Sequence, residues 1–182
     1  MELVSFTGGR NTRLVHDCAR YRNEIFCEKL GWDLNTKNGL ELDQFDRADT
    51  VYIYAQDEDN NICGHARLLP TITPYLIGEV FPELLNGVPI PEESDVWELS
   101  RFAASPRNNG REMVGSSERC LSHRLLDKAV EYARSYGVTR LITASPLAVE
   151  RMIRRAGYQV HRAGPPFRID NQAVIACWIQ ID

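Results

Sequence analysis

The fold this sequence predicts is a single-domain α/β protein with a mixed, largely antiparallel sheet flanked by helices. Three observations point to it. The chain of 182 residues carries no linker, repeat or low-complexity tract that would divide it. Its first half offers a helical stripe followed by a meander of β-branched and aromatic runs. Its second half changes to strand–helix–strand units whose helices end at glycines.

Leu14, Cys18, Tyr21 and Ile25 recur at helical spacing, so a helix is expected from Asn11 to Leu30. Asn11 or Thr12 caps it and Gly31 ends it. The polar stretch from Asp33 to Asp49 is too long for a tight turn, and loops of that length are often functional. Thr50 to Ala55 reads as a strand, Asp57 to Asn61 as a polar turn, and Ile62 to Leu69 as the returning arm, stopped by Pro70. A partly helical connection over Tyr75 to Leu85 leads to a strand over Val96 to Ala103. After a loop from Ser105 to Gly115, the longest helix spans Ser117 to Tyr136 and stops at Gly137. Its apolar stripe is Leu121, Leu125, Ala129, Tyr132, Ala133 and Tyr136. Leu141 to Ala144 is a short strand. Ser145-Pro146 then supplies an N-cap and a first-turn proline for a helix that ends at Gly157. Tyr158 to His161 and Ala173 to Ile181 complete the sheet. The sequence stops just after that strand, so no C-terminal extension is expected.

Composition is that of a globular protein, 43% hydrophobic and 25% charged, large enough to bury a core without disulfides or metals. The apolar runs fall far short of a membrane span, and Met1-Glu2-Leu3 lacks a basic, apolar secretion signal. No membrane insertion and a cytoplasmic location are expected. Cys18, Cys27, Cys63, Cys120 and Cys177 are scattered without a C-x-x-C pair and read as reduced, small apolar residues. Four isolated histidines give no metal-ligand spacing, so no metal site is expected. A net charge of −4 argues against general nucleic-acid binding. Arg151, Arg154, Arg155, Arg162 and Arg168 nevertheless crowd between Glu150 and Asp170. They form either a solvated face or a docking patch for an acidic partner.

The chemistry concentrates in Trp97-Glu98-Leu99-Ser100-Arg101-Phe102, an acid and a base three residues apart in an otherwise apolar strand. Charges in such a setting are costly unless paired or put to use. Glu98 is the best general-base candidate; the alternative is a buried ion pair with Arg101 or Arg67. In a regular strand Glu98 and Ser100 share one face and Arg101 lies on the other. Both charges line one cleft only if a bulge, bend or strand end intervenes near Ser100. Otherwise Arg101 pairs with the loop of Asp43 and Asp46. Those two aspartates face a cationic ligand group or the arginines, or else they cap their own loop and meet solvent. Arg22, beside Tyr21 and Phe26, reads as a surface position, and Trp32 as a core anchor or a stacking platform for a flat heterocycle. No G-x-S-x-G, P-loop, dinucleotide fingerprint or H-E-x-x-H occurs. Arg107-Asn108-Asn109-Gly110-Arg111-Glu112 approaches the pyrophosphate loop of acetyl-CoA-dependent N-acetyltransferases. It places an acid where a small residue must admit the phosphate, which argues against ordinary CoA binding there.

Read together and in order, five clusters resemble the acyl-homoserine-lactone synthases, the autoinducer synthases of bacterial quorum sensing. They are Tyr21 to Phe26 with Gly31-Trp32, then Glu41 to Asp46, Ala66 to Thr71, Trp97 to Phe102, and Arg162 to Pro166. The resemblance implies a variant of the GNAT N-acetyltransferase fold. It implies two substrates, S-adenosylmethionine and an acyl thioester on acyl carrier protein, with acyl-CoA as a possible donor. Adenosylmethionine is consumed, so no cofactor is expected. Glu98 becomes the base for the attacking amine, and strand N–H groups from Ser100 to Phe102 become oxyanion donors. Adenosylmethionine binding is expected from Arg22, Phe26, Trp32, Asp43, Asp46, Arg67 and Phe102, with Arg101 organising the site. An acyl-chain pocket is expected at Ser145, Leu121, Leu125 and Met152. Ser145 falls where members making 3-oxo lactones usually carry threonine, which weakens a 3-oxo preference. The arginines from Arg151 to Arg168 acquire an acidic partner, acyl carrier protein. The alternative is a GNAT-type N-acyltransferase using acyl-CoA and another amine.

Overall fold

The computed structural model describes residues 1–105, 120–169 and 172–181. The Arg107–Glu112 loop and the expected first turn from Ser117 lie outside the described residues. In chain order the elements begin with β1 (Glu2–Thr7), a 3-10 turn (Gly8–Arg10), α1 (Thr12–Arg22) and a π-helical segment (Asn23–Lys29). There follow β2 (Thr36–Lys37), β3 (Leu40–Glu41), β4 (Val51–Gln56), β5 (Ile62–Pro70), α2 (Leu76–Val80), a 3-10 turn (Pro82–Leu85) and β6 (Val96–Ala104). The second half adds α3 (Leu121–Ser135), β7 (Arg140–Pro146), α4 (Leu147–Arg155), β8 (Val160–Arg162), β9 (Phe167–Ile169) and β10 (Gln172–Gln180). No helix among the described residues is long and apolar enough to cross a membrane.

Two compact units emerge, Met1–Ala66 with Arg101–Ala129, and Arg67–Ser100 with Val130–Asp182. In the first, the strand order is β1-β4-β5-β6. β1 was not expected from the sequence; it pairs antiparallel with β4, from Glu2 opposite Gln56 to Thr7 opposite Val51. α1 begins where Asn11 accepts the Leu14 N–H at 3.1 Å. Its last turns widen into the π-helical segment, where the Leu30 N–H reaches back to the Ile25 carbonyl at 3.0 Å, and Gly31 at φ +69° ends it. Cys18, Tyr21, Ile25 and Phe26 from this helix pack against Tyr54, Ile62 and Ala103. The polar stretch after Asp33 is not all loop. Asn38 and Gly39, at φ +54° and +72°, form the two-residue turn between β2 and β3.

In the second unit the order is β5-β6-β7-β10-β8, with β9 also on β10. β6 and β7 run parallel, with Glu98 opposite Ile142, whereas β10 is antiparallel to β7, β8 and β9. A parallel pair needs a long crossover, and α3 lies in that connection. Two sequence expectations are corrected here. Tyr136 leaves the apolar stripe: α3 ends at Ser135, Gly137 turns the chain at φ +79°, and Tyr136 is 62% exposed, stacked on Tyr132. Ser145 is not a helix cap, because the ladder with β10 holds the backbone extended through Pro146, with Ser145 opposite Ile175. Pro146 occupies the cap position without a side-chain hydrogen bond.

Candidate active site

In the first unit, Arg22 closes α1 with its guanidinium fully buried, which overturns the surface position expected for it. Burying a cation is unfavourable unless it is paired, and here two carboxylates surround it. Nε donates to Glu41 Oε2 at 2.5 Å, while Nη1 and Nη2 donate to the two oxygens of Asp46 at 2.6 and 3.0 Å. Burial disfavours the charged guanidinium, yet Asp46 and Glu41 outweigh it and hold the Arg22 proton more tightly than usual. Asp46 is itself fixed by the Tyr52 hydroxyl and the Asp43 N–H, each at 2.8 Å.

Arg101 sits in β6 with φ +50°, a left-handed backbone that non-glycine residues rarely adopt. The strand is therefore irregular at this point. His65 Nδ1 donates to the Arg101 carbonyl at 3.0 Å. The guanidinium donates from Nε to both oxygens of Glu41 (3.2 and 3.1 Å), and from Nη2 to Glu41 (2.9 Å) and Asp43 (3.0 Å). Its Nη1 makes no hydrogen bond among the described residues. Glu41, 1% exposed, thus bridges both arginines. Burial alone would raise its proton affinity; Arg22 and Arg101 reverse that and keep the carboxyl below its ordinary range. Sequence reasoning assigned Glu41 no role. The available signal was Asn38-Gly39, which makes Leu40–Glu41 a strand rather than loop.

Phe26 and Trp32 stack with centroids 5.0 Å apart at 22°. Phe26 is buried and Trp32 half-buried against the same apolar cluster. Phe102 is half-buried. Leu121 packs with Ala55 and Cys63, and the Leu125 side chain covers Gly64.

In the second unit, Glu98 is fully buried and both of its oxygens accept backbone N–H groups. Oε2 takes Leu76 at 3.1 Å and Oε1 takes Ile77 at 2.7 Å. Tyr75 beside it holds its proton more tightly than usual, first through burial and then through the Glu98 charge. Arg67, fully buried, donates from Nε to Ser100 Oγ at 3.1 Å. The buried Ser145 Oγ has no hydrogen-bond partner among the described residues, and Met152 is half-buried. Arg151, Arg154, Arg155, Arg162 and Arg168 are all exposed. Two of them are drawn inward: Arg154 and Arg162 converge on the buried carboxylate of Glu150 at 3.1 and 2.6 Å. Hydrogen bonds from Arg162 are the main reason that Glu150 gives up its proton below the ordinary range, against the effect of burial.

A charged interior of this kind, with a carboxylate held by two amides, is more than a packing core needs. A family model described as autoinducer synthase matches residues 7–182. The chain belongs to the autoinducer synthase family. It is 50% identical to the acyl-homoserine-lactone synthase of Acinetobacter nosocomialis, over 98% of each chain. A crystal structure of TofI in a ternary complex with an inhibitor and MTA shares 42% identity at a TM-score of 0.86, covering 100% of this chain and 92% of that one. The fold alone extends further, to an acyl-CoA N-acyltransferase from Pseudomonas aeruginosa at 14% identity and a TM-score of 0.67, over 97% of each chain. The activity is accordingly that of an acyl-homoserine-lactone synthase, an acyltransferase that makes a quorum-sensing signal. The expected variant of the N-acetyltransferase fold is the one observed.

Proposed function

We propose that this synthase acylates the α-amine of S-adenosylmethionine from a thioester on acyl carrier protein and then closes the lactone. In the first step the amine nitrogen attacks the thioester carbonyl, the C–S bond breaks, and the carrier thiol takes up a proton. In the second, the methionine carboxylate oxygen attacks the γ-carbon. The electron pair of the breaking C–S bond returns to sulfur, releasing neutral 5′-methylthioadenosine. The sulfonium is already a good leaving group, so positioning of the carboxylate is the main requirement of that step.

The observation that carries the reading is the buried network of Arg22, Glu41, Asp43, Asp46 and Arg101. Every guanidinium nitrogen of Arg22 is engaged by Glu41 or Asp46, so Arg22 acts by holding these carboxylates. Arg101 keeps Nη1 for the substrate carboxylate. Asp43 and Asp46 supply negative charge for the ammonium or sulfonium. The Phe26–Trp32 stack offers an aromatic face to adenosine. Glu98 accepts the amine proton, directly or through water. N–H groups from Ser100 to Phe102 stabilise the oxyanion, with Arg67 fixing Ser100. Leu121, Leu125, Ser145 and Met152 are the proposed acyl-chain contacts. Incubation with adenosylmethionine and a panel of acyl carrier protein and acyl-CoA donors, read by mass spectrometry, tests the scheme. Lactone and methylthioadenosine in equal amounts are expected, with the carrier-protein donor preferred. No methylthioadenosine with any donor would overturn it.

Carrier-protein docking is proposed for the exposed arginines. Since Glu150 engages Arg154 and Arg162, the best variants are at Arg151 and Arg155, which make no ion pair among the described residues. Charge reversal at both is expected to raise the carrier-protein KM about tenfold and leave the adenosylmethionine KM unchanged. An unaltered carrier-protein KM would mark them as ordinary surface residues.

A further inference from the structure

We infer that the backbone N–H groups of Leu76 and Ile77 are positioning groups for the reaction, holding the Glu98 carboxylate ionised and at a fixed rotation. The inference rests on the reading of Glu98 as the base. Each oxygen takes one amide, at 3.1 and 2.7 Å, and two such bonds to adjacent residues fix the plane of the carboxylate. The residue is fully buried, where an unassisted carboxyl would retain its proton. Hydrogen bonds donated to the charged form reverse that preference. Among the described residues the only acceptors for these two amides are the Glu98 oxygens. N–H groups in the first turn of a helix lack partners within it, and Tyr75, at the cap of α2, makes no side-chain capping bond. Glu98 serves α2 as a cap supplied from another strand. Tyr75 senses the Glu98 charge, Glu92 acts on Tyr75, and Arg67 on β5 donates to Ser100. The flanking elements also carry Glu79 on α2, His65 on β5 and Arg140 on β7. The Tyr75 hydroxyl donates to the Pro91 carbonyl at 2.9 Å.

The backbone permits a direct test. Leu76 is the first residue of α2, where proline is well tolerated, and Tyr75 at φ −142°, ψ 165° has the extended conformation required before proline. Leu76→Pro deletes one amide donor; Leu76→Ala keeps it and loses only side-chain packing. At neutral pH, kcat for Leu76→Pro is expected about tenfold below that of Leu76→Ala, with both KM values within twofold. The deficit widens as pH falls, because a carboxylate with one amide fewer protonates at higher pH. Taking the ratio of the two variants cancels ionisation of the substrate amine. Equal kcat values, or a ratio that stays flat with pH, would overturn the inference. If Leu76→Pro does not fold, infrared difference spectra of wild type minus Glu98→Gln replace it. A protonated carboxyl stretch in the wild type at neutral pH overturns the inference, and an ionised carboxylate supports it. Glu98→Gln separates the two layers of argument. Retained turnover removes Glu98 as base, whereas lost turnover with equal Leu76 variants removes only the amides' role.

Discussion

Glutamine in place of Glu98 lowers kcat at least ~100-fold, the range for a lost general base, while adenosylmethionine still binds. The size of the side chain is preserved, so packing around it should survive. What changes is the pair of oxygens facing Leu76 and Ile77. A glutamine amide presents one oxygen and one NH2, so one backbone N–H of α2 meets a donor instead of an acceptor. The variant thus loses both the proton acceptor and one of the two bonds that orient it. Turnover by mass spectrometry, with calorimetry for adenosylmethionine binding, separates these effects from misfolding. Near wild-type kcat would remove Glu98 from the mechanism.

Alanine at Glu41 destabilises the protein by about 3–5 kcal/mol, the usual consequence of removing one partner from a buried ion pair. The magnitude applies because Glu41 and Arg22 are almost completely shielded from solvent, at 1% and 0% exposure. Among the described residues, removal leaves Arg22 paired with Asp46 and Arg101 paired with Asp43. Urea denaturation at pH 7 measures the loss, and less than ~1 kcal/mol would show that the network relaxes freely. The pH dependence has a definite sign. The folded carboxyl of Glu41 is depressed below its ordinary value of 4.5. Its contribution is therefore complete above that value and disappears as pH falls below it, through the folded value. Wild type should accordingly lose more stability on acidification than the Glu41→Ala variant.

Most of the fold was legible because it is written in local patterns. α1, β4, β5, β6, α3 and β10 follow apolar periodicity and glycine stops, signals carried by a few neighbouring residues. β1 escaped because Glu2–Thr7 has no clean alternation, being half-buried along most of its length. It becomes a strand through pairing with residues about fifty positions away. At Ser145-Pro146 a strong local start signal lost to the longer-range ladder with β10. The site divides in the same way. Glu98, Ser100 and Arg101 stood out as charges and a hydroxyl in an apolar strand. The burial of Arg22 was invisible in its own helix, since its partners lie 19 and 24 residues further on. Glu41 was overlooked for the same reason, with Arg101 separated from it by 60 positions.

The left-handed backbone at Arg101 makes alanine a misleading reference for that residue. At φ +50° any side chain bearing a Cβ is strained by about 1–2 kcal/mol. In the native protein the bonds to Glu41 and Asp43, and that from His65 to its carbonyl, oppose the strain. Arg101→Ala removes the guanidinium but keeps the strain, so a measured defect mixes lost chemistry with a relaxing backbone. Glycine accepts this conformation without penalty. Arg101→Gly is the cleaner deletion, and the difference between the two variants reads out how much of the guanidinium's grip is spent holding the chain.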